Sequence, residues 1–178
     1  MILGDKKLRK LVKEGKITSN RPIIVNPASV NVRLGNTYLT HKFAPNGIHL
    51  GDKVAYDVHV IGDDEEFCLL PGQFALATTL EVFKIPATLA AYVQGRSSIG
   101  RAGLSVQNAG YVDPGFEGQI TLELRNETQN AIYLRAGYPV AQMIFEETTP
   151  VESPYKGKYL GQMGATGSRM ERDKDDYK

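Results

Sequence analysis

The sequence predicts a mainly β domain, a sandwich or barrel, with one short helix at its start and a flexible tail at its end. Three observations predict it. Eighteen glycines and nine prolines punctuate the 178 residues at short intervals. Between them run short segments in which apolar and polar residues alternate with a period of two. The length suits one domain, spanning residues 1–178, and 42% hydrophobic residues suffice for its core.

The elements follow in order. Asp5 is placed to cap a helix over residues 6–13, in which Leu8, Leu11 and Val12 form an apolar stripe and Gly15 a stop. Residues 44–66 read as an exposed loop and hairpin, and residues 54–60 within them alternate cleanly. Residues 74–83, 89–93, 120–125, 131–134 and 140–145 read as further strands. In residues 120–125, Ile120, Leu122 and Leu124 share one face and Thr121, Glu123 and Arg125 the other. Pro71-Gly72, Pro114-Gly115 and Ala136-Gly137 mark turns, and Gly95 and Gly103 bracket a helical turn over 97–102. Many short strands at this spacing point to a sandwich or barrel. From Tyr155 onward the apolar periodicity fades, so residues 155–178 are expected to move until something orders them.

Composition removes several classes of function. Twenty-one Lys and Arg against twenty Asp and Glu leave a net charge of +1, without the basic excess of a nucleic-acid binder. No run approaches the roughly 18 apolar residues that span a bilayer. The first residues lack a secretory h-region, so a cytoplasmic location is expected. A single cysteine, Cys68, excludes an internal disulfide and a multi-cysteine zinc site. His41, His49 and His59 show no metal-ligand spacing. Neither the His-x-Glu and Pro-Cys-x-x-Cys signature of zinc deaminases nor a Gly-x-Ser-x-Gly elbow occurs, so zinc is not expected.

Three segments can carry chemistry. Gln94-Gly95-Arg96-Ser97-Ser98-Ile99-Gly100-Arg101 gathers two guanidiniums, two hydroxyls and glycine-freed backbone N–H groups, a donor set suited to phosphate oxygens. A helix starting near Ser97 would add its positive end. By itself the segment reads first as a polar turn with two surface arginines, and it lacks the spacing of a nucleotide P-loop. Ala109-Gly110-Tyr111-Val112-Asp113-Pro114-Gly115-Phe116-Glu117-Gly118 reads as a β-hairpin. It either presents Asp113 and Phe116 to a pocket or holds Asp113 as a turn cap and Phe116 in the core. Glu123 reads as a solvated residue on the polar face of its strand. Partly buried at a subunit interface, it would suit general acid/base work.

Taken together, the run from Gly95 to Leu104 and the run from Ala109 to Leu124 strongly resemble the dCTP deaminase family of the dUTPase-like superfamily. The resemblance continues through Pro27-Ala28-Ser29-Val30-Asn31-Val32-Arg33-Leu34-Gly35 and through the tail segments Tyr155-Lys156-Gly157-Lys158-Tyr159-Leu160-Gly161-Gln162 and Gly164-Ala165-Thr166-Gly167-Ser168-Arg169. It implies a distorted β-barrel or jelly roll of the dUTPase-like type, assembled as a homotrimer with active sites between subunits. It implies deamination of dCTP at C4 without a metal-bound water, with Mg²⁺ held by the triphosphate and water rather than by protein. Arg96, Ser97, Ser98 and Arg101, with Ile99 and Gly100 between them, match the motif that holds the triphosphate and positions the attacking water. Glu123 matches the catalytic glutamate. Thr121 and Leu122 match backbone positions that read the base, Gln142 a nucleotide contact, and Tyr155, Lys158 and Gln162 the tail positions that close on the phosphates. Inhibition by dTTP is also implied.

One departure bears on the product. Monofunctional members carry a His-Arg pair where this chain reads Gly110-Tyr111, the pattern of bifunctional, dUMP-forming members. Removing two large polar side chains would let the backbone there accept a uracil ring. Asp113 would then activate water against the α-phosphate of dUTP, and Phe116 would pack under the deoxyribose. Residues 104–109 are one residue shorter than in many relatives, which leaves the placement of Gln107 and Asn108 open. The expectation is conversion of dCTP to dUMP, ammonia and diphosphate. The alternatives are a plain dCTP deaminase releasing dUTP, a dUTPase alone, and a non-catalytic nucleotide sensor on the same scaffold.

Overall fold

A computed structural model describes residues 1–107 and 110–173. Its centre is the strand Val30–His41 (β2), buried on both faces through its first half. That strand is shared between two halves of a curled antiparallel sheet. Its start pairs with Pro139–Glu147 (β11), which pairs with Leu89–Gly95 (β6), which pairs with Tyr111–Val112 (β8). Its end pairs with Tyr56–Val60 (β3) and with Phe74–Lys84 (β5). Strand β5 in turn pairs with Glu117–Asn126 (β9), and β9 with Leu104–Gln107 (β7). Ile17–Thr18 (β1) adds to β5, and Glu66–Leu69 (β4) and Ile132–Arg135 (β10) form a separate two-stranded sheet. The predicted mainly β architecture is what the chain adopts.

Alternation explains the core. Ile120, Leu122 and Leu124 of β9 are buried, as are Val30, Val32 and Leu34 of β2 and Ala75 and Ala77 of β5. The helix Asp5–Lys13 (α1) seals one side with Leu8 and Leu11, and Val12 packs beside them. It ends as expected at Gly15, whose φ of 68° lets Gly15 and Lys16 donate back to the carbonyls of Val12 and Leu11. Its start differs. The N-cap is Gly4, and Asp5 is the first helical residue, its carboxylate accepting from the Lys6 N–H at 2.8 Å. The acid sits where the helix dipole favours it, but it does not cap. Among the described residues no helix is long and apolar enough to cross a membrane.

Two local expectations are corrected. The segment around Asp113-Pro114-Gly115-Phe116 makes a tight turn, but not a hairpin. Strand β8 before it pairs with β6, and β9 after it pairs with β5 and β7, so the turn carries the chain from one half of the sheet to the other. Residues 44–66 do not pair with themselves either. β3 returns to β2, and β4 leaves for the small sheet.

Strand β5 is interrupted beside the start of β9. Between Thr78 and Val82 the register with β9 slips. The Thr79 hydroxyl accepts the Ile120 N–H at 2.9 Å, and the Gln119 amide donates to the Thr79 carbonyl at 2.8 Å. Beside them Glu81, fully buried, accepts from the Arg33 N–H at 2.8 Å and from Arg33 Nε at 2.7 Å. Removing one partner strands a buried charge, which typically costs about 3–5 kcal/mol. Arg33→Met is therefore expected to lower the urea unfolding midpoint strongly, and pairing it with Glu81→Leu to recover most of the loss. An unchanged midpoint in Arg33→Met overturns the assignment.

Candidate active site

Because Ile120, Leu122 and Leu124 face the core, Thr121 and Glu123 are turned to the opposite face of β9. There they line a cleft of about 510 Å³, within the usual range of small-molecule sites. Glu123 is half-buried and held in mid-sheet, opposite Leu76 of β5 and Gln107 of β7. Asp113 reaches the same cleft from the turn before β9, where the Asp113 carbonyl accepts the Phe116 N–H at 3.1 Å. Phe116 is both things the sequence allowed: its ring is buried in the core, and it forms part of the cleft wall against Tyr155, centroids 5.9 Å apart.

Tyr111 stands at the rim, its ring edge-on to Tyr92 at 5.5 Å. Loss of water, and then the negative charge of Asp113, raise its phenol above the usual range, so it remains a neutral donor at physiological pH. Gly110, just before it, takes a φ of 85°. Asn108 and Ala109 lie outside the described residues.

The tail crosses this cleft. Gly118, at a φ of 139°, lies so near Gln162 that a Cβ there would sit 2.7 Å from the Gln162 carbonyl oxygen. That approach lets Gly161 donate to Glu117 and Gln119 to Gln162, at 2.8 and 2.9 Å, while the Gln162 amide donates to the Gln119 carbonyl. Tyr155 and Gln162 line the cleft. Lys158 does not. It is ion-paired with Asp173, which raises its ammonium above the usual lysine range.

The remaining candidates lie elsewhere in the chain. Ser97–Arg101 (α2) is a single helical turn, too short to add much dipole, and Ser97, Ser98, Gly100 and Arg101 are exposed. Arg96 donates to the Pro139 carbonyl at 3.1 Å, and Ile99 packs on the core. Gln142 accepts from the Ser29 hydroxyl at 3.1 Å; it lies opposite Gln94, one step from the Ala141–Gly95 pair that leads into Arg96. These residues form a second polar group at the end of β6 and β11, and none lines the cleft. Leu122 is a core side chain between two cleft residues.

Sequence reasoning missed His41, Tyr56 and Phe74 in the cleft wall. The His41 ring lies 5.0 Å from that of Tyr56 and 5.5 Å from that of Phe74. Their signal was slight: aromatic side chains at the ends of strands.

The class follows from this architecture. A curled sheet of this form is shared with 2'-deoxycytidine 5'-triphosphate deaminase from Agrobacterium tumefaciens (TM-score 0.65, 22% identity, over 81% of this chain and 47% of that one). It is also shared with a dUTPase of Staphylococcus bacteriophage 80alpha (TM-score 0.52, 14% identity, over 79% of this chain and 95% of that one). The fold is therefore dUTPase-like.

The family is more specific. The profile of the dCTP deaminase-like family matches residues 2–148, and the chain belongs to that family. It is 45% identical over 183 residues to a protein of Persephonella marina named dCTP deaminase, dUMP-forming, covering 98% of this chain and all of that one. It is 41% identical to a protein of the same name from Aquifex aeolicus, covering 98% of each.

Proposed function

We propose that this protein converts dCTP to dUMP by two hydrolyses in one site. The observation that carries the proposal is that Glu123 and Asp113, the two carboxylates singled out from sequence, line one cleft under the tail of a dCTP deaminase-like chain. In the first step Glu123 takes a proton from water as the oxygen adds to C4, and returns it to the departing amine. dCTP and water become dUTP and ammonia. In the second step Asp113 orients and deprotonates a water that attacks the α-phosphorus. dUTP and water become dUMP and diphosphate. Phe116 and Tyr155 offer an apolar wall for the sugar, and Thr121 a polar one for the base.

The whole chain, residues 1–178, works as one domain. In a homotrimer the cluster at Arg96, Ser97, Ser98 and Arg101, with Gln142 beside it, serves the cleft of a neighbouring protomer. The cluster is exposed and does not line its own cleft, and among the described residues that cleft has no Arg or Lys in its lining, whereas a triphosphate needs forked cationic donors. Mg²⁺ arrives on the triphosphate, where it neutralises phosphate charge. dTTP binds the same cleft as an inhibitor. The replacement of a His-Arg pair by Gly110-Tyr111 favours the two-step product.

Incubating the protein with dCTP and Mg²⁺ is expected to release ammonia and diphosphate in equal amounts, with dUMP as the nucleotide product. Ammonia with accumulating dUTP overturns the second step and leaves a plain deaminase. Tight nucleotide binding by calorimetry without product over hours makes it a sensor.

A further inference from the structure

Three backbone donors of the tail face the barrel at every second residue, the periodicity of an extended strand. Gly164 donates to Gln119 Oε1 at 2.7 Å, Thr166 to the Thr121 hydroxyl at 3.1 Å, and Ser168 to the Tyr56 hydroxyl at 3.1 Å. The first two acceptors belong to β9. The third belongs to β3, which is separated from β9 in the sheet by β5 and β2, so the tail ties together strands that do not pair with each other. At that far end the backbone lies against the tyrosine ring. A Cβ at Gly167 would sit 2.4 Å from Tyr56 Cε2 and 2.8 Å from Cδ2. Gly167 has no left-handed φ, so close approach alone calls for glycine there. The His41 ring packs against the Tyr56 ring, tilted by 39°.

We propose that Tyr56 is the latch of this strap, a positioning residue that holds residues 164–168 over the cleft through its hydroxyl and its ring. The inference rests on the cleft being the active site, but its main test does not need turnover. Trypsin cleavage at Lys158 and Arg169 of the full-length, ligand-free protein, followed by intact mass, reads how often the strap opens. Tyr56→Phe removes one neutral hydrogen bond and is expected to speed cleavage about five-fold. Gly167→Ala forces the strap off the ring and is expected to speed it more than about tenfold.

Because the two residues act on one contact, Gly167→Ala in a Tyr56→Val background adds little. Thermal unfolding midpoints of Tyr56→Phe and Gly167→Ala stay near that of the unmodified protein, since neither change touches the core. For dCTP, Tyr56→Phe raises KM about five-fold and leaves kcat within twofold. Cleavage rates within twofold of the unmodified protein in both single variants overturn the latch. If the unmodified protein does not consume dCTP, the reading of the site fails, and the cleavage arm still decides the latch.

Discussion

Glu123→Gln is expected to lower ammonia release from dCTP about 10³-fold, within the usual range for loss of a general acid/base. Glutamine keeps the size of the side chain and one acceptor oxygen, but its amide does not take a proton from water. The position is held from both sides, opposite Leu76 and Gln107, so the replacement stays in the cleft and the strand does not move. Cleavage of added dUTP is expected to survive within about tenfold, because Asp113 reaches the cleft from a separate turn. Loss of both activities ties the two steps to one group, and undiminished ammonia release removes Glu123 from the mechanism.

What was legible in the sequence is what period-two alternation controls. The pattern of residues 120–125 placed Thr121 and Glu123 away from the core, and the structure has them in the cleft. Gly15 stopped its helix because a helix end is a local event. Partner choice between strands was not legible. Asp113-Pro114-Gly115 has the chemistry of a tight turn and makes one, yet the strands around it are claimed by β6 and β5, which lie far off in sequence. The Arg33–Glu81 pair joins residues 48 apart, and each alone reads as a surface charge. Tyr56 escaped for a related reason. Its residues alternate like any edge strand, and what makes it part of the site is a tail segment more than a hundred residues later. The resemblance to the deaminase family put Arg96–Arg101 and Glu123 at one site between subunits, and within one chain the cluster does not line the cleft that holds Glu123.

Ending the chain after Leu160 is expected to reduce turnover of dCTP a hundredfold or more, about what loss of substrate positioning and water exclusion costs elsewhere. The truncation keeps Tyr155 and Tyr159, which pack on the core, so the barrel should unfold at nearly the same temperature. It removes Gln162 and every strap donor that reaches Gln119, Thr121 and Tyr56. Undiminished activity in the truncated protein would show that the cleft works open. The same truncation separates two roles for Tyr56. A latch acts only through the strap, so Tyr56→Phe should cost nothing further once residues 161–178 are gone. A further fivefold loss there would instead mean that the hydroxyl meets the nucleotide directly. Steady-state rates of the two single changes and their combination, with protein concentration matched, decide between these roles.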